Sequence, residues 1–299
     1  MSTASLSAGL AQPGYWRAWL PLLLLPASAL LVGQPFPAWV LMWLLSAAIL
    51  LGLKWLTFSD FAVRGQAVSR ARAAGYLLLW PGMDAQRFFS TNELSKPSPG
   101  EWCWAALKTG IGLVLFSWAV RIVQHGDPRF VGWLGMCGLI LVLHFGLFHL
   151  LSLAWRQAGA DARPIMEWPI LATSLGEFWG RRWNRAFRDV AWKYVFRPMI
   201  RQVGPARATM AVFLASGVVH DLVISLPARG GWGLPTLYFA IQGCGTLLEH
   251  SSVGKQLGLG RGIVGRFCCL ATVAVPLPLL FHSPFVERVV VPMLAAATI

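Results

Sequence analysis

Eight apolar runs follow one another along this chain, near residues 16–33, 36–58, 105–123, 131–153, 207–226, 234–250, 263–281 and 285–299. A bilayer core about 30 Å thick takes roughly 20 helical residues to cross. Within it every backbone N–H and C=O needs an internal partner, so only helices and closed barrels span it. Long unbroken runs without alternation exclude a barrel. The fold expected is all-α: a polytopic integral membrane helical bundle of about eight transmembrane helices, the last one short. Charged residues make up 12% of the 299, about half the share usual in soluble proteins.

The charge that remains is unevenly placed. The net charge is +13, but the cations gather in three connections, 59–104, 154–206 and 251–262. The middle one alone holds Arg156, Arg163, Arg181, Arg182, Arg185, Arg188, Lys193, Arg197 and Arg201. The alternate connections hold little beyond Arg129, Arg229 and Arg288. Cations between apolar spans set orientation and meet anionic headgroups. The pattern therefore argues against nucleic acid, and it places the basic connections and both termini in the cytoplasm. No basic region precedes Arg17, so the first run reads as a span and not a cleaved signal peptide. No Pro-, Gly- or Ser-rich linker divides the chain, so residues 1–299 read as one membrane-embedded domain. The five cysteines form no CxxC pair and imply no disulfide framework or metal site. Gly260-Arg261-Gly262-Ile263-Val264-Gly265 satisfies a dinucleotide-binding spacing, but no strand precedes it. Arginine outnumbers lysine, a composition expected of a GC-rich bacterium and hence of a bacterial inner membrane.

Connection 154–206 is more than a loop. Ser174 precedes Glu177 by three, the spacing of a capping box. Phe178, Trp179, Trp183, Phe187, Val190 and Ala191 then recur at helical spacing, with arginines between them. That pattern predicts a basic amphipathic helix lying in the membrane interface. Behind it, His220 sits in the apolar run 207–226. An imidazole at membrane depth is a functional candidate by default. Its ordinary pKa near 6.5 suits proton transfer at neutral pH. A polar donor such as Asn184 could stabilise a developing oxyanion.

The segment Phe178-Trp179-Gly180-Arg181-Arg182-Trp183-Asn184, followed by Ser216-Gly217-Val218-Val219-His220-Asp221, resembles the membrane-bound O-acyltransferase superfamily. With Leu171-Ala172-Thr173-Ser174-Leu175 and Trp80-Pro81-Gly82-Met83-Asp84, it is similar to the wax-synthase branch and its bacterial members. The resemblance is strongest over about residues 160–250. It implies transfer of an acyl group from acyl-CoA to a hydroxyl on a fatty alcohol or similar lipid. His220 is then the catalytic histidine and Asn184 its polar partner. Acyl-CoA is a co-substrate, and no cofactor or metal is implied. Asp221, one methylene shorter, stands where related acyltransferases usually carry Glu, and both catalysis and loop orientation remain open to it.

Other roles follow on the same footing. Ser216 shares a helix face with His220, yet a serine in a membrane helix more often bonds the carbonyl four residues back. Arg181 and Arg182 suit CoA phosphates, or equally headgroups. Phe178, Trp179, Trp183 and Gln242 are candidate substrate contacts, whereas Glu249-His250 reads as a satisfied helix end. His144 and His149 lie five apart and make poor paired ligands. Two alternatives remain open at this point: transfer of a short acyl group to a polyol, glycolipid or secondary metabolite, and a proton-coupled transporter using His220 as a relay. Oligomeric state is not legible in the chain.

Overall fold

A computed structural model of the chain describes residues 15–65, 67–90 and 95–298. The absence of a basic stretch before Arg17 falls mostly on residues 1–14, outside the described residues. Among the described residues there is no strand, and six helices are long and apolar enough to cross a membrane. These are α1 (Trp16–Gly33), α2 (Ala38–Ala62), α3 (Pro99–Ile122), α4 (Pro128–Gln157), α5 (Arg185–Ala228) and α7 (Gly262–Leu280). Between the last two lies α6 (Leu234–His250). The chain is a helical membrane bundle.

Local chemistry starts these helices where the sequence says it should. Ser98 and Glu101 form a reciprocal capping box at the head of α3, with Pro99 in its first turn. Asp127 accepts the Phe130 N–H at the head of α4. Within α5, Gly204 adopts φ 81° and ψ 169° ahead of Pro205. Only glycine takes that conformation without strain, so the helix breaks there into a surface part and a membrane part.

Two of the eight apolar runs are shorter than a full crossing. Helix α6 has 17 residues, about 25 Å at 1.5 Å per residue, and the final helical stretch covers 283–296. Protein surrounds much of α6. Tyr238, Phe239 and Gln242 are all buried, and the helix packs along α5 and α7. Hydropathy alone does not separate a core helix from a span when the core itself is apolar. Close packing of α5 on α6 needs Gly217, because a Cβ there would sit 2.5 Å from the Thr236 Cα.

The 59–104 connection folds onto the ends of α2 and α4. Tyr76 and Trp80 are buried in an aromatic cluster with Phe61, Phe88 and partly buried Trp155. Only Leu78 and Leu79 remain exposed there. The segment 76–80 is thus half turned into protein.

Candidate active site

The predicted interfacial helix is a broken, inserted segment. Its two ends are tied together: the Glu167 N–H donates to the Arg182 carbonyl at 2.8 Å, and the Arg185 N–H to the Ile165 carbonyl at 3.1 Å. The stretch between them enters the bundle. Glu249, on α6, accepts the Leu175 N–H at 2.9 Å on both carboxylate oxygens. Ser174 caps the Glu177 N–H as expected. Glu177 reaches back to Thr173 and not to the cap residue itself. The Thr173 N–H, aided by the Arg182 guanidinium, holds the Glu177 carboxyl below its ordinary range.

The aromatic face turns inward for a physical reason. Phe178 is only 4% exposed. Trp179 packs on Phe213, Tyr238 and Phe239 and donates its indole N–H to Gln242. An apolar helix face is satisfied by protein as well as by lipid, and here its partner is protein. The run of helical turns also stops at Trp183. Asn184 takes φ 40° and ψ 61° and caps a new helix by accepting the Phe187 N–H. Trp168, at the other end of the segment, is left-handed as well. Such backbone is uncommon outside glycine and clusters at functional sites.

His220 lies on α5 just before a widened turn, in which the Leu226 N–H reaches the Asp221 carbonyl. Turns of this kind recur at functional sites. The His220 Nδ1 lies 2.7 Å from the Ser216 carbonyl. A carbonyl can only accept, so Nδ1 carries the proton, and the neutral ring presents Nε2 as a free base. The ring also rests on Phe239, with centroids 4.5 Å apart.

Phe239 joins the two motifs. Rings run in contact from Trp183 to Phe178, to Trp179, to Phe239 and so to His220. The Asn184 side chain itself makes no hydrogen bond to His220 among the described residues. Its Oδ1 is used by the cap, which leaves the amide NH₂ available as a donor.

The remaining candidates divide clearly. Ser216 donates its hydroxyl to the Val212 carbonyl, four residues back, and not to His220. Asp221 orients a loop: it accepts from Ser225 Oγ, Gly233 N, Thr236 N and Thr236 Oγ1. Ser225 also contacts His282 Nε2 at 3.2 Å. The His282 Nδ1 accepts the Phe285 N–H, so Nε2 bears the proton, and burial keeps the ring below its ordinary pKa. Gln242 is fully buried, with its amide N–H committed to the Thr272 carbonyl. Arg182 is held by Glu177 and by the carbonyls of Glu167 and Trp168. Arg181 is exposed and makes no hydrogen bond or ion pair among the described residues.

Replacing Asp221 by alanine should therefore act on stability. Two backbone N–H groups and two hydroxyls lose their acceptor, at about 1–3 kcal/mol for each group left buried and unpaired. We expect a melting temperature several degrees lower, read by tryptophan fluorescence in detergent. An unchanged melting point would refute the anchoring role.

Lysine 54 is a residue that the sequence reading passed over. It is buried within α2, donates to the Gly82 carbonyl at 2.6 Å and lies 3.0 Å above the Tyr76 ring. It thereby pins Trp80-Pro81-Gly82-Met83-Asp84 to the bundle. A lone cation in an apolar run was the available signal. Beside that motif is a cavity of about 30 Å³, lined by residues that include Asp84, Arg87, Asp161, Arg163 and Arg185. A second, of about 250 Å³, lies at the far end of α5 between Phe36, Leu41, Ala228, Arg229 and Arg288. Neither is lined by His220 or Asn184.

The fold and these residues define a helical membrane protein with a base-competent imidazole within a span and a polar, strained segment inserted beside it. Comparison with known proteins agrees in kind. Residues 162–241 match the Membrane bound O-acyl transferase family, a stretch that contains both Asn184 and His220. The chain is 33% identical over 174 residues to the "Long-chain-alcohol O-fatty-acyltransferase" of Simmondsia chinensis, covering 51% of this chain and 48% of that one. It is 30% identical over 217 residues to "Probable long-chain-alcohol O-fatty-acyltransferase 9" of Arabidopsis thaliana, covering 66% and 62%. A further Arabidopsis relative, "Probable long-chain-alcohol O-fatty-acyltransferase 6", is 31% identical over 140 residues, covering 43% and 40%. The matches thus span roughly half the length of these relatives. They support the membrane-bound O-acyltransferase superfamily.

Proposed function

We propose that the protein is an integral-membrane O-acyltransferase that moves a long acyl group from acyl-CoA to the hydroxyl of a long-chain alcohol, forming an ester. The observation that carries this reading is the His220 tautomer. The Ser216 carbonyl accepts a hydrogen bond from Nδ1–H, which leaves Nε2 to accept a proton from an alcohol. The alcohol oxygen then attacks the thioester carbonyl carbon. The C–S bond breaks, and the proton held on Nε2 passes to the departing thiolate, giving the ester and free CoA. The Asn184 NH₂ is the donor that would meet the oxyanion or the thioester carbonyl.

Exposed Arg181 is the better candidate for a CoA phosphate, since Arg182 is already committed within the segment. The charge pattern supports basic connections facing the cytosol, where CoA esters are found, and the excess of arginine over lysine supports a bacterial inner membrane. The activities named for the relatives favour a long-chain acceptor over a short-chain transfer. The position of the Ser216 hydroxyl gives no support to an acyl-serine route.

Purified protein in nanodiscs, given radiolabelled palmitoyl-CoA and hexadecanol, should release CoA and form wax ester in equal amounts. Parallel assays with acetyl-CoA and with diacylglycerol should give much less product. A folded protein that turns over no thioester with any of these alcohols would reject the reading.

A further inference from the structure

Histidine 144 lies in the middle of α4, about 24 Å along the helix from Pro128 and about 20 Å from Gln157. Its Nδ1 is buried, and among the described residues it has no hydrogen-bond partner. Buried polar atoms are rarely left so. His220 and His250 show the usual solution, each placing Nδ1 on the carbonyl four residues back. Around His144 the helix is widened instead, over Leu141–Leu147, a distortion that recurs at functional sites. Gly146 closes on Thr109 of α3. Two residues along a helix turn a side chain by about 200°, so His144 faces away from α3. The residue as a whole is only half-buried, which leaves part of the ring within reach.

What His144 meets is the inserted segment. The imidazole lies parallel to the Trp183 ring, with centroids 6.5 Å apart and planes at 14°. Trp183 stacks in turn on Phe178, at 5.7 Å and 11°. Phe145 meets this stack edge-on at Trp183, and Phe148 does so at the imidazole. His144 thus packs on the residue directly before Asn184, at the opposite end of the ring path from His220. On the topology proposed above, this end adjoins the basic connection and is the first that a thioester arriving from the cytosol meets. No charged side chain acts on the ring among the described residues, so the partner it suits is neutral. A neutral imidazole offers one acceptor and one N–H. Acyl-CoA brings a matching group next to its thioester, because the pantetheine arm carries an amide two carbons from the sulfur.

We propose that His144 is a donor-binding residue: its imidazole hydrogen-bonds the amide nearest the sulfur of acyl-CoA, with the arm laid beside Trp183, and so sets the thioester carbonyl at the Asn184 amide. The inference rests on the acyltransferase reading and names a substrate contact within it. His144 takes up no proton and forms no bond to the acyl group. Its substitution therefore acts on the donor and leaves the acceptor alone.

The test uses the full chain in nanodiscs, with hexadecanol as acceptor and three palmitoyl thioesters as donors. Palmitoyl-CoA is the first. The N-acetylcysteamine thioester keeps only the amide in question, and the S-pentyl thioester has similar length and no amide. The wild type should use the second about tenfold better than the third in kcat/KM, the scale of one neutral hydrogen bond. In His144→Phe, which keeps a ring on Trp183, that preference should largely vanish. His144→Gln, which restores a neutral hydrogen-bonding group, should recover part of it. The preference is a ratio taken on one preparation, so the fraction folded does not affect it. With palmitoyl-CoA, His144→Phe should raise the donor KM and leave the hexadecanol KM unchanged. A wild type that turns over none of the three donors overturns the acyltransferase reading itself. An active wild type overturns the role of His144 alone if it lacks the amide preference, or if His144→Phe keeps that preference, leaves the palmitoyl-CoA KM unchanged or raises the hexadecanol KM.

Discussion

His220→Ala is expected to leave a folded protein whose ester formation falls by roughly 10²–10⁴-fold, the usual contribution of a positioned general base. The side chain makes one hydrogen bond, to the Ser216 carbonyl, and one ring contact, with Phe239. Losing the former costs about 1 kcal/mol, and α5 keeps its Gly217 contact with α6 and its Asp221 anchor. Stability and activity should therefore separate. His220→Gln sharpens the test, because it can still donate a hydrogen bond but cannot take up a proton. It should be as inactive as the alanine variant. The measurement is initial rate of wax ester per folded molecule, with folding checked by thermal melting. Retention of more than about a tenth of wild-type activity in either variant would remove His220 as the base.

The bundle was legible because the bilayer leaves so few solutions. An unbroken apolar run of about 20 residues must be helical whatever surrounds it. What covers each helix was less legible. Helix α6 and the spans share one composition, but α6 packs most of its surface in protein, with Leu237 and Leu248 left exposed, and needs less length. The same ambiguity applies to Phe178 and Trp179. Their spacing announces an apolar face, and that face packs on α6 instead of lying in the interface. The break at Asn184 escaped the pattern because asparagine signals a left-handed turn only weakly, whereas Gly204-Pro205 signals its break openly.

Polar residues were legible by position more than by role. Asp221 reads equally as a catalytic acid and as one that orients a loop. One residue along a helix turns the side chain by about 100°, and it reaches Thr236 and Gly233 instead. Gln242 reads as a substrate contact and proves to be fully engaged with Trp179 and Thr272. Both arginines of the motif read alike, and the ion pair to Glu177 with the bonds to the Glu167 and Trp168 carbonyls distinguishes Arg182 from Arg181. Lys54 stands alone in an apolar run, and its partners come from elements distant in sequence that no local spacing reveals.

Asn184→Asp should separate two roles that alanine would confound. Asn184 caps the helix that begins at Arg185 and holds left-handed backbone. Alanine loses the cap, at about 1 kcal/mol, and it fits that backbone poorly. A loss of activity in Asn184→Ala could then come from a displaced segment. Aspartate keeps an oxygen to accept the Phe187 N–H, tolerates the left-handed conformation, and adds a charge that suits a helix N-terminus. Only the NH₂ donor is removed. Removing one oxyanion donor typically lowers the rate by 10²–10³-fold. We expect Asn184→Asp to melt within a few degrees of wild type and to lose activity on that scale, with kcat falling more than KM rises. Asn184→Gly should also be inactive, since it relieves the backbone and supplies no amide. If Asn184→Asp instead forms ester at the wild-type rate, Asn184 is a helix cap alone, and the oxyanion must be met by another donor in the segment beside Phe239.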